Sequence, residues 1–409
     1  MRSAGSGRRT NAGTARCARR SRWCGATVLR SPAGSPRWAR RCGRRCGRSW
    51  SRHRRRRLLP SRADPACSAS IWSSRVARRR RVGGGSGRRR AVLAIGVDIG
   101  GTKVLAGVVD ESGAVLEEIR RLTPGHDVAR TEDTICEVVT ELAGRYDTVA
   151  VGVGAAGWIG TDHATVLFSP HLAWRNEPLR DALAGRIGLP VVVENDANAA
   201  AWAEYRYGAA RDERVVCCVT LGTGIGGGLV VSGVLFRGAH GVAAEYGHMC
   251  VVPAGRRCAC GNRGCWEMYA SGRALARDAR ELAEVSPLAA YRILELAGGL
   301  PVQISGEHVT AAAREGDPAA VEIFTEMGRW LGRGIANLAA VLDPNVVVIG
   351  GGVVTAGDLL LGPATEEFTQ NLTGRGFRPA ARIVLAQLGP NAGLVGAADL
   401  ARRRQPLPP

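Results

Sequence analysis

One short unit occurs twice in this chain, and it limits the possible folds more than any other feature. An apolar run, Ala91 to Val97, leads into Asp98-Ile99-Gly100-Gly101-Thr102 and then a second run, Lys103 to Val109. About 120 residues later the order returns as Val215 to Leu221, Gly222-Thr223-Gly224, and Gly227 to Val231. Short runs rich in Val, Ile and Leu and bounded by glycine read as strands. Glu111-Ser112-Gly113 turns the first copy into a third strand, Ala114 to Ile119, and Ser232-Gly233 is a further turn after the second copy. Between the copies lie a helix at about 128–144, strands at Thr148 to Val153 and Pro190 to Val193, and a helix at Asp196 to Tyr207. The segment 267–342 is mostly helical, and Val346 to Ile349 reads as a buried strand ending in Gly350-Gly351-Gly352. A helix near 356–371, a strand at 382–386 and a helix near 392–402 follow. Mixed strands and helices with an internal duplication predict two α/β lobes around a cleft. The expected division is a lobe over 91–205, completed by 388–403, and a lobe over 206–387 that carries the loop 245–267.

The formal charge of +20 suggests a nucleic-acid binder, but the charge is unevenly placed. Residues 1–90 hold 28 Arg and one acid, Asp64, for +27, so the other 319 residues carry −7. That larger part is mildly acidic and long enough for two cores. The Arg-rich part has like-charge blocks at Arg54 to Arg57, Arg78 to Arg81 and Arg88 to Arg90, the linker-like Gly83-Gly84-Gly85-Ser86-Gly87, and no sustained period. It is expected not to fold. It reads as a nucleic-acid-binding arm, as a transit peptide lacking its amphipathic helix, or as a start assigned too far upstream in GC-rich coding sequence. The third is the expectation. Lys103 is the only lysine, which fits a genome poor in A-rich codons; an internal start would use an alternative codon, near Val82 or Val92. No nucleic-acid partner is then expected. The chain has no signal-like or membrane-length apolar run, so neither export nor a membrane is expected. Seven cysteines outside the Arg-rich part, three in one motif, suit a reducing cytoplasm.

A Gly/Thr turn between antiparallel strands presents backbone N–H groups, because glycine accepts φ > 0 and lets a phosphate come close. Either loop alone is common in hairpins; two facing copies point to a nucleotide. The chain has no Gly-x-x-x-x-Gly-Lys-Ser/Thr. Gly222-Thr223-Gly224-Ile225-Gly226-Gly227 leads into a strand, whereas a dinucleotide fingerprint opens a helix. Asp98 ends its strand beside the first loop, where a carboxylate could hold a phosphate-bound Mg²⁺ through water. Lys103 begins a strand and is assigned no role.

Glu194-Asn195-Asp196-Ala197-Asn198 lies where a strand runs into a helix. Asn or Asp there is a natural N-cap, and an acid at a strand's carboxyl end facing a cleft is also where a general base belongs. Beside two phosphate loops, the base reading of Asp196 is the expectation. His248, Cys258, Cys260 and Cys265 fall within eighteen residues, with glycines to bend the chain. Cys3His is a set for structural zinc with no open position, and it reads better than four unliganded core residues. Glu245 and Glu267 bracket the loop, so a metal there would fix both.

Asp98-Ile99-Gly100-Gly101-Thr102-Lys103, the Glu194-to-Asn198 segment, the run Leu221 to Gly228, Glu245-x-x-His248 and the Cys258-to-Glu267 motif occur in this order in the ROK sugar kinases. Over about 91–402 the chain resembles that family, and within it the ATP-dependent glucokinases of bacteria. The resemblance implies the actin-like ATPase (ribonuclease H-like) fold and transfer of phosphate from ATP to the 6-hydroxyl of glucose. It makes Asp196 the base and Asn195, Asp196, Glu245, His248 and Glu267 the sugar contacts. His248, Cys258, Cys260 and Cys265 would hold Zn²⁺. Asp98, Gly100, Gly101, Thr102, Thr223, Gly224, Gly350, Gly351 and Gly352 would line the site for ATP and Mg²⁺. Relatives form dimers or tetramers, which is the expectation here.

Two positions depart from the family pattern. Ala244 stands where glycine usually precedes the glutamate, and His171 where relatives often carry asparagine near the sugar. Fructose, mannose, N-acetylglucosamine or N-acetylmannosamine could replace glucose, since one hydroxyl or acetamide contact decides among them. Polyphosphate could replace ATP, but the triple glycine near 350 suits an adenosine pocket. The family also contains sugar-sensing repressors with a helix-turn-helix, which needs apolar residues at helical spacing. Residues 1–90 offer Arg and Gly instead, with Leu58-Leu59 their only leucine pair.

Overall fold

The computed structural model of the protein describes residues 92–403. The readings of residues 1–90 as a basic arm, a targeting segment or an over-long start lie outside the described residues. In chain order the first part contains β1 (Leu93–Ile99), β2 (Lys103–Val109), β3 (Val115–Leu122), α1 (Val128–Ala143) and β4 (Thr148–Ala155). Three short strands follow, β5 (Trp158–Ile159), β6 (Val166–Phe168) and β7 (Arg175–Glu177), then α2 (Leu179–Ile187), β8 (Val191–Asn195) and α3 (Asp196–Tyr207). The second part contains β9 (Val215–Leu221), β10 (Ile225–Val231), β11 (Val234–Leu235), α4 (Gly272–Val285), α5 (Tyr291–Leu296), α6 (Gly306–Arg314) and α7 (Pro318–Leu342). It ends with β12 (Val346–Gly350), α8 (Asp358–Asn371), β13 (Arg382–Leu385) and α9 (Ala392–Arg403).

The repeat seen in the sequence extends to whole sheets. One sheet runs β3-β2-β1-β4-β8 and the other β11-β10-β9-β12-β13. In each, the strands flanking the Gly/Thr turn pair antiparallel and the later strands join in parallel. The first turn therefore lies at the end of β1, next to β4, and the second at the end of β9, next to β12. The small sheet β5-β6-β7 and helix α2 have no counterpart in the sequence reading. Strands of two or three residues are too short to show a period of two. The first strand begins at Leu93 rather than Ala91, and the helix expected from 356 starts at Asp358 behind a 3₁₀ turn over Gly352–Ala356.

Capping explains where the helices start. Asp127 accepts from the Arg130 amide to open α1, Ser271 from Ala274 to open α4, and Asp317 from Ala320 to open α7, whose first residue is Pro318. The buried face of α1, with Ile135, Val139 and Leu142, meets Ile95, Val97 and Val153 of the first sheet. A larger core under the second sheet joins Val219 and Leu221 to Phe324, Leu331, Ile335 and Phe368. Truncating one such residue, Phe324→Ala for example, costs about 3–5 kcal/mol.

Helices α3 and α9 pack on each other between the sheets, α9 against β1 and β4 and α3 against β9 and β10. Glycine makes this approach possible. A methyl group at Gly96 or Gly152 would sit 1.9 Å from the carbonyl oxygen of Leu394 or Ala397, and one at Gly396 would sit 1.8 Å from that of Ala199. A buried carboxylate adds direction: Asp399 accepts from Tyr207 Oη at 2.6 Å and Trp202 Nε1 at 2.9 Å. The helix that begins with Asp196 is thereby held against the C-terminal helix.

Candidate active site

The register of the first sheet brings two carboxylates together. Asp98 lies opposite Gly154 on β4, and Gly154 lies opposite Glu194 on β8. With no side chain at Gly154, the backbone of Asp196 is its neighbour, and Asp98 and Asp196 face the same space. Both are enclosed by protein yet keep some solvent contact. Burial, and then the charge of Asp196, push the Asp98 carboxyl up to about 7, against a smaller opposing effect of Lys103. Lys103, given no role above, thus has its charge directed at this pair. The first turn of α9 also presses on Asp98, since a methyl at Gly393 would sit 3.1 Å from its carboxyl carbon. Burial raises Asp196 as well; the amides of Ala197 and Asp196, the His171 ring and Asn195 oppose the shift.

The cap and base readings of this segment divide between two residues. Asn195 is the N-cap of α3, its Oδ1 accepting from the Asn198 amide at 2.9 Å. Its Nδ2 donates to the Gly157 carbonyl and to Asp196 Oδ1, both at 3.0 Å. What Asn195 can still offer a ligand is the second lone pair of Oδ1. Asp196 is the first helical residue, and its Oδ1 also accepts from Ala197 N at 2.9 Å.

From Asp196 the predicted residues follow one another without a gap. Glu245 is raised by burial first and also by the charges of Asp196 and Glu267, with His248 and Trp158 opposing. Its carboxylate lies 3.8 Å from His248 Nε2, while His248 Nδ1 lies 3.7 Å from Cys258 Sγ. Nε2 therefore faces Glu245, whereas Nδ1 faces Cys258 and, at 3.9 Å, Glu267. Glu267 is buried, accepts from Cys258 Sγ at 3.0 Å and pairs with Arg273 at 3.3 Å. Its other oxygen rests on the second Gly/Thr loop, 2.4 Å from where a methyl at Gly224 would be. Gly222 in that loop accepts from Gly272 N at 2.9 Å, and Gly351, at φ +90, has no room for a side chain beside the Leu221 carbonyl. The Gly350-Gly351-Gly352 turn and Thr223-Gly224 are thus neighbours. Gly100-Gly101-Thr102 is closed by Gly100 N to Lys103 O at 3.0 Å and by Thr123 Oγ1 to Gly100 O at 2.9 Å, with Gly101 and Thr102 exposed.

The four expected metal ligands converge. One donor atom each from His248, Cys258, Cys260 and Cys265 lies within 4.8 Å of the other three. The Cys260–Cys265 sulfur separation is 3.6 Å. A tetrahedron with metal–sulfur bonds of about 2.3 Å has edges of about 3.8 Å, so this donor set is of the kind and near the size that zinc takes. Gly261 and Gly264, at φ +95 and +78, supply the bends.

Several residues around the site were assigned no role from the sequence. His171 lies over the first loop, its Cβ 3.1 Å from where a methyl at Gly101 would be, and its ring influences Asp196. Glu194, Arg237 and His163 form a buried cluster behind Asp196. Ala244 adopts φ +69, which explains the glycine usual at that position and leaves this chain with a strained alanine before Glu245. The available signals were His171 in a place where relatives often carry asparagine, Glu194 at the head of its segment, an Ala in a glycine position and a lone loop arginine.

Among the described residues no helix is long and apolar enough to cross a membrane. The profile of the ROK family matches residues 94–404. The chain is 50% identical over 315 residues to a glucokinase of Streptomyces coelicolor, an alignment covering 77% of this chain and 99% of that one. It is 38% identical to a glucokinase of Thermotoga maritima, over 76% of this chain and 97% of that one. Its structure is similar to that of a ROK family glucokinase from Streptomyces griseus in complex with glucose and AMPPNP, with a TM-score of 0.72 and 52% identity, covering 76% of this chain and 99% of that chain.

Proposed function

The chain belongs to the ROK family, and from that membership we propose that it transfers phosphate from ATP to the 6-hydroxyl of glucose. It is a glucokinase, with the actin-like ATPase fold. One observation carries this reading: over the 76% of this chain that aligns with 99% of the relative, 52% of residues are identical to a ROK family glucokinase in complex with glucose and AMPPNP.

The residues divide the work as follows. Asp196 takes the proton of the sugar 6-hydroxyl; its raised affinity for a proton suits a base that must hold one while the oxygen attacks. Asn195 anchors the helix on which that base sits and offers its remaining lone pair to a sugar hydroxyl. Glu245, His248 and Glu267 bind further hydroxyls, since a neutral pyranose is recognised only by acceptors and donors in fixed places. Gly100, Gly101 and Thr102 from one sheet and Thr223, Gly224 and the Gly350 turn from the other cradle ATP, whose transfer needs positioning and charge stabilisation more than covalent chemistry. Asp98 is the carboxylate for Mg²⁺, which when bound neutralises charge on the phosphates. His248, Cys258, Cys260 and Cys265 hold a structural Zn²⁺, which supplies rigidity to the Glu245 and Glu267 segments and no open coordination position. The lobes over 91–205 with 388–403, and over 206–387, close on the substrates and exclude water. We place the reaction in the cytoplasm, with the cysteines reduced.

The test is ADP release from Mg²⁺-ATP with a panel of hexoses. Turnover largest with glucose is expected. Turnover with another hexose alone would move the substrate, and none at all from folded protein would leave a sugar-binding regulator.

A further inference from the structure

Directly behind the proposed base lies a buried ionic cluster that the transfer chemistry leaves without a task. Glu194, 1% exposed, precedes Asn195 and Asp196 at the end of β8. Its Oε1 accepts from Arg237 Nε at 3.0 Å, from the Asn195 amide at 3.1 Å and from Asn198 Nδ2 at 3.3 Å. Its Oε2 lies 3.4 Å from His163 Nδ1. The Arg237 side chain is 9% exposed. Its Nη1 lies 2.9 Å from His163 Nε2, and its Nη2 donates to the carbonyls of Gly160 at 3.2 Å and Ile159 at 3.5 Å. Because the guanidinium can only donate, His163 Nε2 accepts from Arg237 and the ring hydrogen sits on Nδ1, which faces Glu194 Oε2. His163 holds φ +53 and accepts from the Val193 amide, so it is fixed by backbone as well as ring.

The origin of Arg237 gives the cluster its meaning. The arginine belongs to the segment after β11, on the second sheet, yet its whole fork is spent on Ile159 of β5, Gly160 and His163 in the turn after it, and Glu194 of β8. The same segment runs on to Glu245: Ala243 N donates back to Arg237 O at 3.1 Å, Ala244 turns left-handed, and Glu245 follows. Arg237 therefore ties the stretch ending in Glu245 to the strand that leads into Asp196. A buried ion pair adds little net stability over an apolar one, but losing one partner is costly, and its best-attested use is to fix register.

We propose that Arg237 is a positioning residue for the sugar site, setting Glu245 against Asp196 through its grip on Glu194, His163 and the β5 carbonyls. This rests on Asp196 and Glu245 being parts of that site. A lysine could keep the charge but would lose the fork that serves four acceptors at once.

The test is steady-state kinetics on the full chain for Arg237→Met, Arg237→Lys and His163→Asn, each checked for a folded melting transition above the assay temperature. Displacing one sugar ligand by about an ångström costs on the order of 10²-fold. Arg237→Met should therefore lose about that much in kcat/KM for glucose, mostly through KM, with the ATP KM within about twofold of wild type. Arg237→Lys and His163→Asn should show the same split at smaller size. A folded variant with normal glucose kinetics, or with glucose and ATP constants moving together, overturns the proposal. If Arg237→Met does not fold, the two milder variants decide by the same split. Wild-type protein silent on every hexose would instead remove the kinase reading itself.

Discussion

Asp98 and Asp196 illustrate how one missing side chain, at Gly154 of β4, lets a carboxylate from β1 and one from the start of α3 share a space. Asp98 is held protonated in the fold up to about 7, whereas in an unfolded chain it ionises near 3.8. Between those values the folded state binds the extra proton, so this group's contribution is complete below about pH 4 and is lost as pH rises through 7. In Mg²⁺-free protein the melting temperature should therefore fall between pH 5 and 8, and Asp98→Asn should flatten that slope. An unchanged slope in the variant would assign the titration elsewhere, Asp196 and Glu245 being the neighbouring candidates. Asp196→Asn tests a different property. It keeps the shape of the site and removes the base, so kcat should drop by about 10²–10⁴ with glucose still bound and the melting temperature little changed. A smaller drop would return Asp196 to a structural role beside its capping neighbour. Ala244 shows the residue scale at its most local: the left-handed turn was implicit in a single departure from a glycine position, although its φ was not.

Among the elements, the cysteine loop depends on a helix far from it in sequence. Trp266 sits between the proposed metal ligand Cys265 and the proposed sugar contact Glu267, and its indole donates to the Trp330 carbonyl of α7 at 2.8 Å. A methyl at Gly334, one turn further along α7, would lie 1.9 Å from the ring. Gly334→Ala should push Trp266 outward at a cost of about 1–3 kcal/mol, lower the metal content measured by atomic absorption, and raise the glucose KM. Full metal content with unchanged kinetics would show that the loop is rigid without that contact. Chelation of the wild-type protein should lower the melting temperature and activity together, because the set is structural; activity lost from an intact fold would contradict this. The motif of His248 and three cysteines was legible because its ligands lie within a few turns of chain. The support from α7 was not, because nothing local to residue 266 indicates residue 334.

For the whole molecule, the two sheets of equal order are joined by α3 and α9, and the described residues 92–403 contain every residue assigned to the site. A chain beginning at Val92 should accordingly keep the full-length kcat/KM for glucose; a marked loss would give residues 1–91 a role in the enzyme. Sequence alone determined the duplicated strand–turn–strand unit, the two Gly/Thr loops, the Asn195-Asp196 junction and the cluster of His248 with three cysteines. Each is written in neighbouring residues, through the period of two in strands, the backbone freedom of glycine and short ligand spacings. Only the tertiary structure decided that Asp98 meets Asp196 across Gly154, that α9 lies on glycines of β1 and β4, and that Arg237 reaches Glu194 and His163. Those contacts join segments tens to hundreds of residues apart, and packing and burial select them without leaving any periodic trace in the chain.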